Sequence, residues 1–354
     1  MSRFMSKRFA SLESYVPGEQ PKTMQYIKLN TNESPFPPSK GVLDAVAEQS
    51  NLLQLYSDPD ATNLVSQAAK VFGVKENQIL MTNGSDEILN FAFMAFGDKE
   101  HPFVFPALTY GFYPVFAKVN SIPYKEIPLK EDFSIDPTDY HNAGGNVVIA
   151  NPNAPTGLAL SLAEIEGILQ TNPDHVVVID EAYVDFGGET AISLVNKYDN
   201  LIVTRTFSKS YSMAGARLGF GIANEALIAD MNTIKFSTNP YNVNRMTMAA
   251  GTAALVENEY YRNNCRTIVE VREWTKAQLK ELGFVMTDSK ANFIFARHPG
   301  VDGETLYLKL KERGILVRHF SREDIKDYNR ITVGTKEQMI AFLNATQAIL
   351  QEVQ

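Results

Sequence analysis

The chain reads as an α/β protein: a large, mainly parallel sheet flanked by helices, followed by a smaller α+β unit. Two observations predict this. From Gly41 onward, short apolar runs alternate with segments of helical periodicity, the pattern of a sheet whose crossovers are helices. Three of the runs, residues 147–150, 176–179 and 201–204, are apolar and are followed directly by polar residues. Parallel strands covered on both faces look this way, and ligands collect at their carboxyl ends. A length of 354 residues exceeds one ordinary core, so a second unit is expected.

Taken in order, the first forty residues are proline-rich and end in Asn32-Glu33-Ser34-Pro35-Phe36-Pro37-Pro38. Proline removes backbone donors, so this stretch reads as an irregular arm lying across something. Helices are expected over residues 42–51, 61–72, 86–96 and 162–170. Strands are expected over 78–81, 103–105 and the three runs above. After Tyr241 the character changes. A long helical stretch over 246–282, broken near Asn258, precedes a strand (292–296), a helix (304–313), two strands (315–318 and 330–333) and a helix (336–351). The expected division is an arm at 1–40, a large unit at 41–255 and a small unit at 256–354, with the arm packing on the small unit or on a partner subunit.

The formal net charge of −8 argues against a nucleic-acid partner, which calls for a basic patch. Cys265 is the single cysteine, which excludes a disulfide framework within the chain and a cysteine metal cluster, and suits a reducing compartment. Residues 1–18 are basic but lack the apolar core of a signal peptide, and no apolar run approaches the ~20 residues that span a bilayer. A cytoplasmic protein with neither membrane nor metal is expected.

The chemistry sits after the three apolar strands. The first delivers Asn151-Pro152-Asn153-Ala154-Pro155-Thr156-Gly157, the second Asp180-Glu181-Ala182-Tyr183, and the third leads through Arg205 to Lys209. In a parallel sheet these ends converge on one edge. There Lys209 is placed to form an imine with an aldehyde cofactor and to shuttle a substrate α-proton. Asp180 is placed to pair with a protonated pyridine nitrogen, keeping the ring an electron sink, and Tyr183 to reach a phenolic oxygen on that ring. Arg217, Ser208 and Thr206 suit a phosphate. Gly84 and Ser85, opening a helix in Asn83-Gly84-Ser85-Asp86-Glu87, form a further anion cradle. Each feature has a plainer alternative. An acid pair after a strand is commonly a metal-binding or capping pair, a lone lysine a surface residue, and Asn-Pro-x-x-Pro-Thr-Gly a turn. Their order and convergence favour the chemical reading.

In family order, Asn30-Thr31-Asn32-Glu33, Gly84-Ser85-Asp86-Glu87, the Pro-Thr-Gly turn, Asp180-Glu181-Ala182-Tyr183 and Ser208-Lys209 with Arg217 resemble the class I/II aminotransferases of fold type I. The resemblance runs from Tyr15 to the C-terminus and implies pyridoxal 5'-phosphate as cofactor. It implies Lys209 as the Schiff-base lysine, Asp180 as the pyridine partner and Tyr183 as the phenolic-oxygen partner. Tyr110 would stack on the ring, while Phe112, Tyr113 and Phe116 read as core aromatics. Gly84, Ser85, Thr206, Ser208 and Arg217 would form the phosphate cup. Tyr56 would be lent to the cofactor phosphate by a second subunit, implying a homodimer with shared active sites.

Within the class, Ser14-Tyr15-Val16-Pro17-Gly18, Asn239-Pro240-Tyr241-Asn242-Val243-Asn244 and Arg330-Ile331-Thr332-Val333-Gly334-Thr335 are similar to the histidinol-phosphate aminotransferase sub-family. That likeness implies transamination between L-histidinol phosphate and 2-oxoglutarate in histidine biosynthesis. Threonine-phosphate decarboxylation and broad aromatic transamination are the alternatives on the same fold. It implies Arg330 as the holder of the glutamate carboxylate, and Arg318 with Tyr15 as holders of the substrate phosphate. One position departs from the pattern. Ala154 stands where the family carries an asparagine that reaches the phenolic oxygen, leaving Asn151, Asn153 or Tyr183 alone to serve there.

Overall fold

The computed structural model describes residues 2–9, 12, 18–21 and 24–353. After a 3-10 turn at Lys7–Phe9 come a short strand β1 (Ile27–Leu29) and two helices, α1 (Lys40–Ser50) and α2 (Thr62–Phe72). There follow β2 (Ile79–Thr82), α3 (Ser85–Phe96), β3 (Phe103–Pro106), α4 (Tyr113–Asn120) and β4 (Tyr124–Ile127). Next come β5 (Asn146–Ala150), α5 (Leu162–Thr171), β6 (Val177–Asp180), β7 (Leu201–Thr206), β8 (Gly219–Ala223) and α6 (Glu225–Thr238). The last part runs α7 (Arg245–Val256), α8 (Asn258–Glu281), β9 (Val285–Met286), β10 (Phe293–Arg297), α9 (Gly303–Glu312), β11 (Ile315–His319), β12 (Asn329–Thr332) and α10 (Lys336–Val353).

Among the described residues the strands form two sheets. One has seven strands in the order β2-β8-β7-β6-β5-β3-β4. Its centre, β5, β6 and β7, is buried along its whole length, as Val- and Ile-rich strands covered by helices on both faces must be. The three run parallel, with Ala150 opposite Asp180 and Asp180 opposite Thr204. Their carboxyl ends therefore lie level with one another, which is what gathers the polar residues after them. Helix starts follow local chemistry. Ser161 and Glu164 close a reciprocal capping box on α5, and Asn224, Asn244 and Asp302 each accept an N-terminal backbone N–H of their helix.

β8 is the one element of this sheet that runs antiparallel to its neighbours, pairing β2 on one side and β7 on the other. It is absent from the strands expected of the sequence because Gly219-Phe220-Gly221 looks like a turn. The glycines instead permit close approach: a Cβ at Gly219 would lie 2.4 Å from the Gly84 carbonyl carbon, and one at Gly221 would lie 2.8 Å from the Ile88 side chain. α4, β4 and α6 are likewise added by the structure. The long helical stretch resolves into α7 and α8, separated at Glu257 (φ −93°, ψ 30°).

The second sheet has the order β1-β11-β12-β10-β9. β1 joins it from the arm, parallel to β11, with Leu29 opposite Val317. The arm is thus partly regular, a point its prolines hide. Leu29, Ile294, Val317 and Ile331 pack with Ile268 of α8 and Phe342 of α10, and Phe186 reaches the same core from the loop after β6. That loop ties the two sheets together just beyond Asp180.

Candidate active site

Asp180, the last residue of β6, is 4% exposed. Tyr113 Oη donates to its Oδ2 at 2.9 Å, and Thr204 Oγ1 donates to its Oδ1 at 3.1 Å. Burial pushes its pKa up to about 6, against the pull of those two hydrogen bonds. Among the described residues no basic side chain forms an ion pair with it. A buried acid held only by neutral donors suits a cationic ring nitrogen. Glu181 points the other way, as alternation along a strand demands. Thr190 Oγ1 and the Ala191 N–H donate to it at 2.7 and 2.6 Å, and Arg205 lies 3.5 Å away while also pairing with Asp185 at 2.5 Å. The two adjacent acids therefore do not share a site: Glu181 braces the loop that leads to the second sheet.

Tyr113 is a core aromatic as expected and carries a further role. Its ring is fully buried, as a core aromatic's would be, but its hydroxyl is a partner of Asp180. The available signal was general: a buried tyrosine hydroxyl needs a hydrogen-bond partner. Tyr110, three residues earlier, stands edge-on to Tyr113 with ring centroids 5.7 Å apart, and its hydroxyl donates to Asp86 Oδ1 at 2.7 Å. This draws Tyr110 towards the start of α3.

That start is the anion cradle. Gly84 is the N-cap of α3 at φ 76° and offers no side-chain cap, so the first-turn N–H groups keep no local acceptor from it. A Cβ at Gly84 would sit 2.6 Å from Arg217 Nη2, which shows how closely the guanidinium covers the turn. Thr82 on β2, Gly219 on β8 and Thr206 on β7 are register partners, which brings Ser85 to the strand end that carries Thr206 and Ser208. Ser208 N donates to Thr206 Oγ1 at 3.1 Å. Arg217 pairs with Asp86 at 3.2 Å. Backbone donors, the hydroxyls of Ser85, Thr206 and Ser208 and a half-exposed guanidinium together fit a phosphate.

Lys209 lies three residues past β7, and its Nζ donates to the Thr31 carbonyl at 3.1 Å. It lies 5.8 Å from the centre of the Tyr183 ring. Arg330 Nη2 donates to the Asn30 carbonyl at 3.2 Å, one residue earlier in the arm. The candidate amine and the candidate carboxylate-binding arginine are thus held by successive carbonyls of the arm just after β1. Arg330 stands directly opposite Arg318 across β12 and β11, and both guanidinium groups lie against Phe320, at 5.8 and 5.6 Å. Like charges facing each other on neighbouring strands are unfavourable by themselves, and an anion between them would relieve the repulsion.

The asparagines after β5 turn out to be structural. Asn151 engages both ends of its amide on the backbone of Leu160, at 2.7 and 3.1 Å. Asn153 accepts from Thr109 Oγ1 and donates to the Leu108 carbonyl and to Thr156. Neither amide reaches Tyr183. Both amides are engaged within the protein, and the amide that reaches Tyr183 is a different one: Asn32 of the arm donates its Nδ2 to Tyr183 Oη at 2.9 Å. In the sequence Asn32 is part of a motif without a role of its own. The other contributors that carry no role there are Thr204 and the carbonyls of Asn30 and Thr31. Carbonyl contacts carry no sequence signature, because any residue supplies one. Tyr56 lies elsewhere, 80% exposed and stacked on Tyr241 at 4.7 Å. Tyr15 lies outside the described residues.

The family model described as "Aminotransferase class I and II" matches residues 24–345. A histidinol-phosphate aminotransferase of Brachyspira hyodysenteriae is 48% identical over 353 residues, covering 99% of this chain and 100% of that one. One from Acinetobacter baumannii strain AYE is 50% identical over 340 residues, covering 95% and 94%. The solved histidinol-phosphate aminotransferase of Sinorhizobium meliloti, in complex with pyridoxal-5'-phosphate, superposes over 100% of both chains with a TM-score of 0.88 at 22% identity, which speaks to the fold. The family match spans both sheets and every described site residue named above, so the chain belongs to the aminotransferase class I and II family.

Proposed function

We propose that the protein is a pyridoxal-5'-phosphate-dependent transaminase that moves an amino group between L-histidinol phosphate and 2-oxoglutarate. The observation that carries this reading is the convergence of Lys209 and Arg330 on the adjacent carbonyls of Thr31 and Asn30, with Arg318 facing Arg330. It sets a reactive amine beside two guanidinium groups suited to a carboxylate and a phosphate.

When bound, the cofactor supplies an aldehyde for the substrate amine and a ring that takes up the electron pair released at Cα. The protein does the rest. Asp180 keeps a proton on the ring nitrogen, and that positive charge in turn favours its ionised form. Tyr183 presents its hydroxyl to the phenolic oxygen. Gly84, Ser85, Thr206, Ser208 and Arg217 hold the phosphate, with Tyr110 against the ring. Lys209 Nζ would take the proton from the substrate Cα as a base and give it back as an acid. Arg330 orients the carboxylate of glutamate or 2-oxoglutarate. Arg318, with Tyr15, holds the phosphate of the amino alcohol.

Tyr56 belongs to the cup of a second copy in this reading, and its exposed ring among Leu52, Leu53 and Leu55 suits burial in a homodimer. Residues 41–255 then act as the cofactor-binding unit, and residues 256–354 with the arm as the substrate-closing unit. Among the described residues no helix is long and apolar enough to cross a membrane, in keeping with a cytoplasmic biosynthetic role.

The test is a panel of amino donors with 2-oxoglutarate, histidinol being offered with and without its phosphate. Fast turnover of the phosphorylated donor alone supports the reading. Preference for phenylalanine or tyrosine makes the enzyme a broad aromatic transaminase, and release of carbon dioxide without a keto acid makes it a decarboxylase.

A further inference from the structure

The arm does more than close the site. Three consecutive residues, Asn30, Thr31 and Asn32, each touch a different working group: Arg330, Lys209 and Tyr183. The first two contacts use main-chain carbonyls. The third uses a side chain, and that side chain is held more tightly than packing alone requires.

Asn32 is 1% exposed, with its backbone at φ 56°, a left-handed conformation that asparagine tolerates better than most residues. The backbone is pinned from both sides. Its N–H donates to Thr332 Oγ1 at 2.9 Å, and its carbonyl accepts from Asn292 Nδ2 at 3.0 Å. The amide is then oriented by the same threonine, whose hydroxyl donates to Asn32 Oδ1 at 3.1 Å. Thr332 is buried, and its side-chain hydrogen bonds among the described residues are these two to Asn32. Turning the amide over would leave the threonine proton without an acceptor, so Nδ2 is the end that faces Tyr183.

A phenol oxygen has two lone pairs and one proton. With one lone pair of Tyr183 taken by Asn32, the proton is directed away from Asn32. Ala154, Ala291 and Phe293 pack around Tyr183 without offering a polar side-chain group, and Lys209 Nζ lies 5.8 Å from its ring centre. We propose that Asn32 is a positioning residue: by donating to the Tyr183 hydroxyl it sets the direction in which Tyr183 presents its own proton to the cofactor, and it makes that setting conditional on the arm being docked against Thr332 of β12. Asn32 touches neither substrate nor cofactor in this account. It acts through Tyr183, and it links the second sheet, 300 residues away in sequence, to the cofactor-facing hydroxyl.

This inference rests on the cofactor reading above, and its test separates the two. The purified enzyme loaded with pyridoxal phosphate is titrated with pH while its visible absorption band is followed, and cofactor affinity is measured by titrating the cofactor-free protein. The band in the unmodified enzyme tests the cofactor reading. The differences among variants test Asn32. Asn32→Gly keeps the left-handed backbone and removes the amide without adding charge. It should move the midpoint of the colour change by about half to one pH unit, the size of one lost hydrogen bond, in the same direction as Tyr183→Phe. In the Tyr183→Phe background, Asn32→Gly should add nothing further. Thr332→Val approaches from the other side, removing both the acceptor of the Asn32 N–H and the donor that orients its amide. It should give a smaller shift of the same sign that also vanishes without the Tyr183 hydroxyl. Melting of the cofactor-free variants reports any loss of fold separately. Unshifted midpoints in both Asn32→Gly and Thr332→Val, or shifts that persist undiminished in the Tyr183→Phe background, overturn the proposal.

Discussion

The two ends of the site are built on different principles. The end that faces the cofactor ring is made from neighbours on one rigid sheet. Asp180 and Thr204 are register partners on β6 and β7, and Tyr113 closes over them, all within the buried core. The end proposed to face substrate is assembled from the arm, β11 and β12, whose side-chain contacts span 300 residues of sequence and whose arginines are only half-buried. Buried groups on adjacent strands hold a fixed geometry at the expense of desolvation. Groups brought together by docking an arm can open and close around a ligand. In the proposed reading, the difference teaches that the constant chemistry lies on strands of one buried sheet, while the choice of substrate lies where distant segments dock.

The comparison can be broken most directly at its hinge. Lys209→Ala should lower turnover on the order of 10³-fold or more with every donor, because both ends serve the proton it carries. Wild-type turnover in this variant would end the proposed function outright. Asp180→Asn should cost about 10²-fold with all donors alike, since it acts on the ring and not on the substrate. Its stability should move the other way. The folded-state pKa of Asp180 is raised to about 6 from 3.8, so the unfolded chain gives up this proton first as pH rises. The contribution of the protonated acid is present in full below about pH 4 and is lost as pH climbs through about 6. Cofactor-free Asp180→Asn should therefore melt above the cofactor-free parent at pH 8, by up to about 3 kcal/mol, and match it near pH 4. Thermal melts at the two pH values check this.

At the substrate end the effects should be selective. Arg330→Lys should reduce kcat/KM for 2-oxoglutarate by about 10- to 100-fold, with little change in cofactor affinity, because lysine cannot make the bidentate contact. Arg318→Ala should reduce kcat/KM about tenfold for the phosphorylated donor and leave the non-phosphorylated one unchanged. Equal losses on both donors would place Arg318 in the frame of the site and not at the substrate phosphate. The smallest effect belongs to Tyr113→Phe, about fivefold, because Thr204 still holds Asp180. A larger loss there would mean that the ring end is less redundant than its geometry implies.

Much of the cofactor end is legible in local sequence. The apolar runs that become β5, β6 and β7 stand out because a strand buried on both faces must be apolar throughout. The polar residues after each run stand out because parallel strands end on one edge. Asp180, Tyr183 and Lys209 sit at such ends, so their convergence needs only the pairing of neighbouring strands. β8 escapes because its glycines are chosen for a close approach to α3, which has no local signature. The role of the Tyr113 hydroxyl escapes because burial hides a polar partner inside an apolar pattern.

The sequence by itself determined the class of fold, the order of its motifs and the chemical character of each strand end, since those depend on residue type and short-range periodicity. Only the tertiary structure decided that Glu181 meets Arg205 and Thr190, that Asn151 and Asn153 brace their own turn, and that the amide beside Tyr183 comes from Asn32. These outcomes depend on which donors meet which acceptors once distant segments dock. A buried polar group takes whatever partner the packing brings, however far away that partner lies in the chain.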